Sequence, residues 1–225
     1  LKPDYAEAYS NMGVALRKQG KFEEAIEAYK KSISIKPNYA EAYNNMGVTF
    51  KDQGKFDEAI EAYKKSILLK PNYAEAYDNM GVALKNKGKF DEAIEAYHKA
   101  ISIKPIHANT YYNMGNALRD QLKLDEAIEY YNKSISLNPN YTDAFNNMGI
   151  ALHYQDKSEE AIQAYRKAIS FNPDSAETHQ NLGFMLLRSG KLTEGLDELE
   201  WRWKNPQFLS IQRHFLQPLW DGTQS

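Results

Sequence analysis

Apolar and aromatic residues recur along the chain on a fixed grid. We read repeats of 34 residues from Ala6, Ala40, Ala74, Ala108, Thr142 and Ala176. The fourth position of each is then Tyr9, Tyr43, Tyr77, Tyr111, Phe145 and His179. The seventh is Met12, Met46, Met80, Met114, Met148 and Leu182, and the eleventh is Leu16, Phe50, Leu84, Leu118, Leu152 and Leu186. Positions 4, 7, 8 and 11 share one face of a helix, because residues three and four apart lie one above another. Positions 17, 21, 24 and 28 do the same in the second half of the repeat. There Tyr29, Tyr63, Tyr97, Tyr131 and Tyr165, then Leu199, hold position 24. The pattern predicts two helices per repeat, A and B.

The breaks fall where two helices need them. A Gly-Lys-Phe turn at 20–22, 54–56 and 88–90 separates A from B. Pro3, Pro37, Pro71, Pro105, Pro139 and Pro173 recur every 34 residues and end helix B. Small residues are in phase as well. Gly13, Gly47, Gly81, Gly115, Gly149 and Gly183 hold position 8, and Ala25, Ala59, Ala93, Ala127 and Ala161, then Gly195, hold position 20. They are expected to let the backbones of A and B approach closely. Residues 6–39 and 40–73 agree at 26 of 34 positions, and six repeats cover 204 of the 225 residues. One helix pair cannot bury its own apolar face, so neighbours must stack and share a core.

An aromatic, Leu/Met-Gly, Leu, Ala, Tyr and Pro at a 34-residue period resemble the tetratricopeptide repeat family. The resemblance implies an all-α, right-handed superhelical solenoid of six helix pairs. Helix A of each repeat would line the concave face, and the role would be protein binding. On this reading residues 1–5 end a preceding repeat. Residues 6–39, 40–73, 74–107, 108–141, 142–175 and 176–209 are the six repeats. Residues 210–225 form a capping tail or linker toward a further domain.

The core face of helix A is expected at positions 3, 4, 7, 8 and 11, leaving 2, 5, 6, 9, 12 and 13 for a groove. Position 6 is Asn11, Asn45, Asn79, Asn113, Asn147 and Asn181. A carboxamide both donates and accepts, so a row of them suits the N–H and C=O groups of an extended peptide, independent of its sequence. Alternatively, these amides cap or bridge neighbouring helices. The row resembles the asparagine ladder of the O-linked N-acetylglucosamine transferase family, which implies contact with substrate peptide. Position 2 is mostly acidic (Glu7, Glu41, Glu75, Asp143, Glu177) and position 12 basic in four repeats (Arg17, Lys51, Lys85, Arg119), with Val14, Val48 and Val82 at position 9. Such edges suit an extended segment of mixed charge, and they equally complement the helix dipole. Some relatives clamp a peptide carboxylate with Lys at position 5 and Asn at position 9. Here these are Ser10 and Val14, so that clamp is not expected.

Repeats four to six depart from near-identity with Asn109, Tyr112, Asn116, His153, Tyr154, Phe184 and Arg188. Aromatics at groove positions favour binding hot spots, against drift or packing on the tail as the other reading. The candidate groove is the six asparagines with Tyr112, Asn116, Arg119, Tyr154 and Phe184.

Composition sharpens this picture by exclusion. Of 16 tyrosines, 13 sit at positions 4, 24 and 34, leaving Tyr112, Tyr130 and Tyr154. A net charge of −2 argues against a nucleic-acid partner. With no cysteine there is no disulfide, thiolate nucleophile or cysteine metal site. His98, His107, His153, His179 and His214 lack metal-ligand spacing, and no phosphate loop or catalytic constellation is visible. No cofactor, metal or enzymatic activity is expected of this chain. Asn132-Lys133-Ser134 is a formal glycosylation sequon inside a helix B and reads as accidental. With no apolar run of membrane length and no leader visible, the expected location is the cytoplasm.

The two ends carry further expectations. Trp201, Trp203 and Trp220, with Phe208 and Pro218-Leu219-Trp220-Asp221-Gly222, resemble a junction in bacterial proteins where such repeats lead into a glycosyltransferase-like domain. That resemblance implies the alternative function, a substrate-recognition arm whose catalytic domain lies beyond residue 225. The plainer reading is that the tryptophans cover the last repeat. Near-identical repeats and an uncapped start also invite end-to-end self-association.

Overall fold

The computed structural model describes residues 4–201. The tail, with Trp203, Phe208 and Trp220, lies outside the described residues. So do residues 1–3 of the partial repeat expected ahead of Ala6. The described residues form twelve α-helices and no strand. These are α1 (Asp4–Lys18), α2 (Phe22–Ile35), α3 (Ala40–Asp52), α4 (Phe56–Leu69), α5 (Ala74–Asn86) and α6 (Phe90–Ile103). They continue with α7 (Ala108–Asp120), α8 (Leu124–Leu137), α9 (Thr142–Tyr154), α10 (Ser158–Phe171), α11 (Ala176–Arg188) and α12 (Leu192–Leu199). Odd-numbered helices are the A helices, and from α3 on each starts at the first position of a repeat.

The helices gather into two compact bodies, α1–α8 within residues 1–139 and α9–α12 within residues 140–225. In the first body each A helix packs on its own B helix and on a neighbouring A helix, and α3, α5 and α7 also pack on the B helix before them. In the second, α10 lies against both α9 and α11, α11 against α12, and α9 touches α11.

The turn from A to B closes the same way throughout. Lys21 and Lys55 N–H groups bond to the Leu16 and Phe50 carbonyls at 3.0 and 2.9 Å. That closure needs a left-handed residue just before, and Gly20, Gly54, Gly88 and Gly190 supply it at φ +74 to +77°. The fourth and fifth repeats use Leu122 (φ 61°) and Asp156 (φ 59°) instead. Helix B ends because the residue before each proline is driven out of the helical region. Lys36, for example, takes φ −131° and ψ 84° and still bonds to the Ser32 carbonyl at 3.0 Å.

The glycines at position 8 have a more specific role than close backbone approach. A Cβ built on Gly13, Gly47, Gly81, Gly115 or Gly149 would lie 2.5–2.7 Å from the Cε1 atom of the position-24 tyrosine in the same repeat. What occupies the space is an aromatic ring. Tyr29, Tyr63, Tyr97, Tyr131 and Tyr165 are wholly buried, as are the position-20 alanines. In the last repeat Leu199 replaces the ring, and Gly183 also faces the Gly195 carbonyl. A second tie closes three repeats. The hydroxyls of Ser32, Ser66 and Ser134 donate to the carbonyls of Ala6, Ala40 and Ala108 at 2.6–2.9 Å. Ser134 is the third residue of the sequon and is fully buried.

The buried stripes differ from expectation in two respects. Helix B buries the expected positions 21 and 24 together with the small residues at 20, 23 and 27, while 17 and 28 are only half-buried. Helix A buries positions 5 and 10 as well as 3 and 8: Ser10, Asn44 and Asn146 are inside, with Thr49, Ala83, Ala117, Ala151 and Met185. Helix A touches its neighbouring A helix as well as its own partner, so its covered face is broader than one pairing requires.

At the end of the second body, His179 stands where most repeats have a tyrosine. Its Nε2 faces the Pro173 carbonyl at 2.8 Å, as the Tyr111 hydroxyl donates to the Pro105 carbonyl at 3.0 Å in the fourth repeat. Its Nδ1 pairs with Glu198, and Trp201 stacks flat on the ring with centroids 3.9 Å apart.

Candidate functional site

The asparagine row is tied into the packing. Asn79 donates from Nδ2 to the Asn44 Oδ1 at 3.1 Å, and Asn181 to the Asn146 Oδ1 at 3.2 Å. Asn113 donates to both carboxylate oxygens of Asp78, at 3.4 and 3.5 Å. Each acceptor is position 5 of the repeat before. The bridging alternative therefore describes these three side chains. Among the described residues Asn79 and Asn181 make this one hydrogen bond, leaving an N–H and the amide oxygen, and Asn113 makes its two to Asp78, leaving the oxygen. Asn45, Asn79, Asn113, Asn147 and Asn181 are half-buried and Asn11 is exposed. The Asn147 oxygen accepts from Asn146 at 3.5 Å.

Position 5 is therefore a seam between A helices, where an open groove floor was expected. Tyr112 is half-buried there, its ring tilted against Tyr131 at 6.2 Å. Asn116 is 9% exposed and its Oδ1 accepts from the Tyr131 hydroxyl at 2.8 Å. It serves the core, where a groove role was expected, because position 9 lies over the position-24 phenol. In the first three repeats that position is Val, and among the described residues the hydroxyls of Tyr63 and Tyr97 have no hydrogen-bond partner, while that of Tyr29 lies near Thr49 and Arg17. Burial raises the pKa of all three.

Both charged edges pair internally. Arg17 meets Asp52 at 2.7 Å, Arg119 meets Asp120 at 2.9 Å, and Lys85 reaches Asp120 at 3.6 Å. On the acidic edge Glu41 pairs with Lys70 at 2.7 Å and Glu7 with Lys36 at 4.0 Å. The exposed groove-row aromatics lie in the second body: Tyr154 is 64% and Phe184 53% exposed. Among the described residues no group of three or more His, Asp or Glu gathers as a metal site, and no helix is long and apolar enough to cross a membrane.

A family model described as "TPR repeat" matches residues 15–54, 85–121 and 149–190, together more than half of the chain. The chain belongs to the tetratricopeptide repeat family. Two further models described as "Tetratricopeptide repeat" match 40–73 with 108–141, and 62–95 with 130–163. No curated protein matches this TPR chain in sequence. Among solved TPR-like structures, MamA is 33% identical over 73% of this chain and 96% of its own, with a TM-score of 0.67. PilF of Pseudomonas aeruginosa is 22% identical over 95% and 94%, with a TM-score of 0.79. YrrB, a TPR protein with an unusual peptide-binding site, is 22% identical over 80% and 92%, with a TM-score of 0.64.

Proposed function

We propose that this TPR chain is an interaction module that binds an extended peptide segment on its A-helix face. The observation that carries the reading is the state of Asn79, Asn113 and Asn181. Each amide is held by a single partner in the repeat before, Asn79 and Asn181 through one hydrogen bond and Asn113 through two long ones, and each keeps its oxygen as an acceptor for a ligand backbone. A side chain already ordered loses less entropy on binding, so the bridges support the ligand role as well as the packing. In the second body Tyr154 and Phe184 add exposed aromatic surface of the kind that anchors partners. A peptide ligand is also what YrrB is described as binding.

The test is selection from a displayed library of random dodecapeptides. Peptides recovered on the intact chain should bind an Asn45→Ala, Asn79→Ala, Asn113→Ala variant at least about tenfold more weakly, since each lost amide forfeits about 1 kcal/mol of hydrogen bonding. Equal affinity, with both proteins helical by circular dichroism, rejects the asparagine row as the binding element.

A further inference from the structure

One acid in the asparagine seam stands apart. At position 5 the repeats carry Ser10, Asn44, Asp78, Tyr112, Asn146 and Gln180, so Asp78 is the charged member. It is half-buried. Other acids on this side of the first body are neutralised, Asp52 by Arg17 and Lys51, and Asp120 by Arg119 and Lys85. Asp78 makes no ion pair among the described residues. What it receives are the two long bonds from Asn113, the influence of the Thr110 hydroxyl, and the more distant fields of His107 and Lys51. The His107 Nδ1 is itself engaged with the Thr110 Oγ1 at 2.9 Å.

The balance of these contacts is incomplete. Burial holds the Asp78 carboxyl above the ordinary aspartate range despite the Asn113 and Thr110 donors, so they do not make up for lost water. Two wholly buried phenols, Tyr63 and Tyr97, feel the same negative charge, and neither hydroxyl has a hydrogen-bond partner among the described residues. A neutral residue at this position, as in neighbouring repeats, would not carry that cost. A partly desolvated carboxylate without a counter-charge, beside amides suited to peptide backbone, is complementary to a cation carried by that peptide.

We propose that Asp78, with Asn113, seats a lysine or arginine side chain of the segment bound on this face. The proposal rests on the peptide-binding reading above and adds to it a position with side-chain selectivity. The asparagines read backbone and tolerate any sequence, whereas Asp78 fixes register by demanding a positive charge at one place.

The same dodecapeptide library tests it, panned on the full chain and on Asp78→Asn. This variant keeps an acceptor oxygen for Asn113 and nearly the same volume. Peptides from the intact chain should carry Lys or Arg at one fixed position relative to their other shared residues. They should lose about tenfold in affinity on Asp78→Asn, and Met in place of that Lys or Arg should weaken binding to the intact chain but not to the variant. Peptides that depend on the asparagines yet show no basic position, or that bind Asp78→Asn equally, overturn the assignment and leave the asparagine reading standing. Failure to recover any peptide that depends on Asn45, Asn79 and Asn113 overturns both.

Discussion

Gly81→Ala is the sharpest test of how the repeat is packed. The new Cβ would stand 2.5 Å from the Tyr97 Cε1 and 2.8 Å from both Cδ1 and Cζ. Ordinary contact between such carbons begins near ~3.5 Å, so the ring or the helix must give by about an ångström. The ring is wholly buried, and turning it about its own axis leaves the on-axis Cζ at 2.8 Å. Overpacking of this kind costs about 1–3 kcal/mol. Replacing glycine by alanine within a helix returns roughly 1 kcal/mol. The clash is deep, so the upper part of the range applies and the net loss is about 2 kcal/mol. For a body of this size that lowers the melting temperature by about 4–8 °C, readable by circular dichroism at 222 nm. Tyr97→Leu in the Gly81→Ala background should recover part of the loss, because a Cβ on Gly183 would stand 2.9 Å from the nearest Leu199 atoms, a shallower overlap than the 2.5 Å to the Tyr97 ring. A melting temperature that holds or rises in Gly81→Ala would refute the reasoning that the ring sets the A-to-B spacing.

Other outcomes follow from the same geometry. Leu122→Gly should stabilise the first body by about 1 kcal/mol, since a left-handed leucine pays a steric cost that glycine does not; denaturant midpoints will show it, and an unchanged midpoint counts against it. Val82→Asn offers the Tyr97 hydroxyl the acceptor that Asn116 gives Tyr131. If Val82→Asn restores that bond, the loss of valine burial should be largely offset, and an added Tyr97→Phe should be more costly in that background than alone. Asp78→Asn should raise the melting temperature at pH 7. The carboxyl pKa is raised in the folded state by burial, so the charged form opposes folding above that pKa and protonation relieves it. The advantage of Asn should therefore shrink as pH falls toward ~4, and a constant advantage across pH would contradict this. At the alkaline end Tyr73 is pushed up to about 12 by burial and the nearby Glu75 and Glu41, and the buried position-24 phenols are raised too. The unfolded chain ionises its tyrosines above pH ~10 while the folded one holds their protons, so stability should drop as pH rises past that value. Phenolate absorbance that rises, before the helical signal is lost, beyond what the exposed tyrosines such as Tyr154 supply would disprove it for these rings.

Much of the fold is legible in the residues themselves. Pro37, Gly20 and the position-24 tyrosines recur with one period, and each enforces a local event that needs no distant partner: a helix stop, a left-handed turn, a ring under a glycine. The harder features depend on which helix lies alongside. Asn44 and Asn146 are polar residues on helix A and read as solvent-facing until the neighbouring A helix covers them. Their partners, Asn79 and Asn181, lie 35 residues on, one beyond the repeat length, and that offset of one is the signal a longer-range reading of the row would have found. Asn116 falls at a groove position in the repeat, and its value to Tyr131 is a matter of reach across the pair. Asp78 carries no signal in the sequence, because an acid on a helix is ordinary and only the missing counter-charge among the described residues makes it notable.

The bridge from Asn79 to Asn44 also has a mechanical consequence. It is a rivet between adjacent A helices, made by a side chain whose remaining N–H and oxygen are, on the proposed reading, those that a ligand takes. Hydrogen bonds in series polarise one another, so a peptide that takes the free oxygen makes the amide a better donor and tightens the rivet. Occupancy and elasticity then become one variable. The array of helix pairs in the first body should resist stretching more when loaded than when empty, and pulling it open should loosen its grip on whatever it holds.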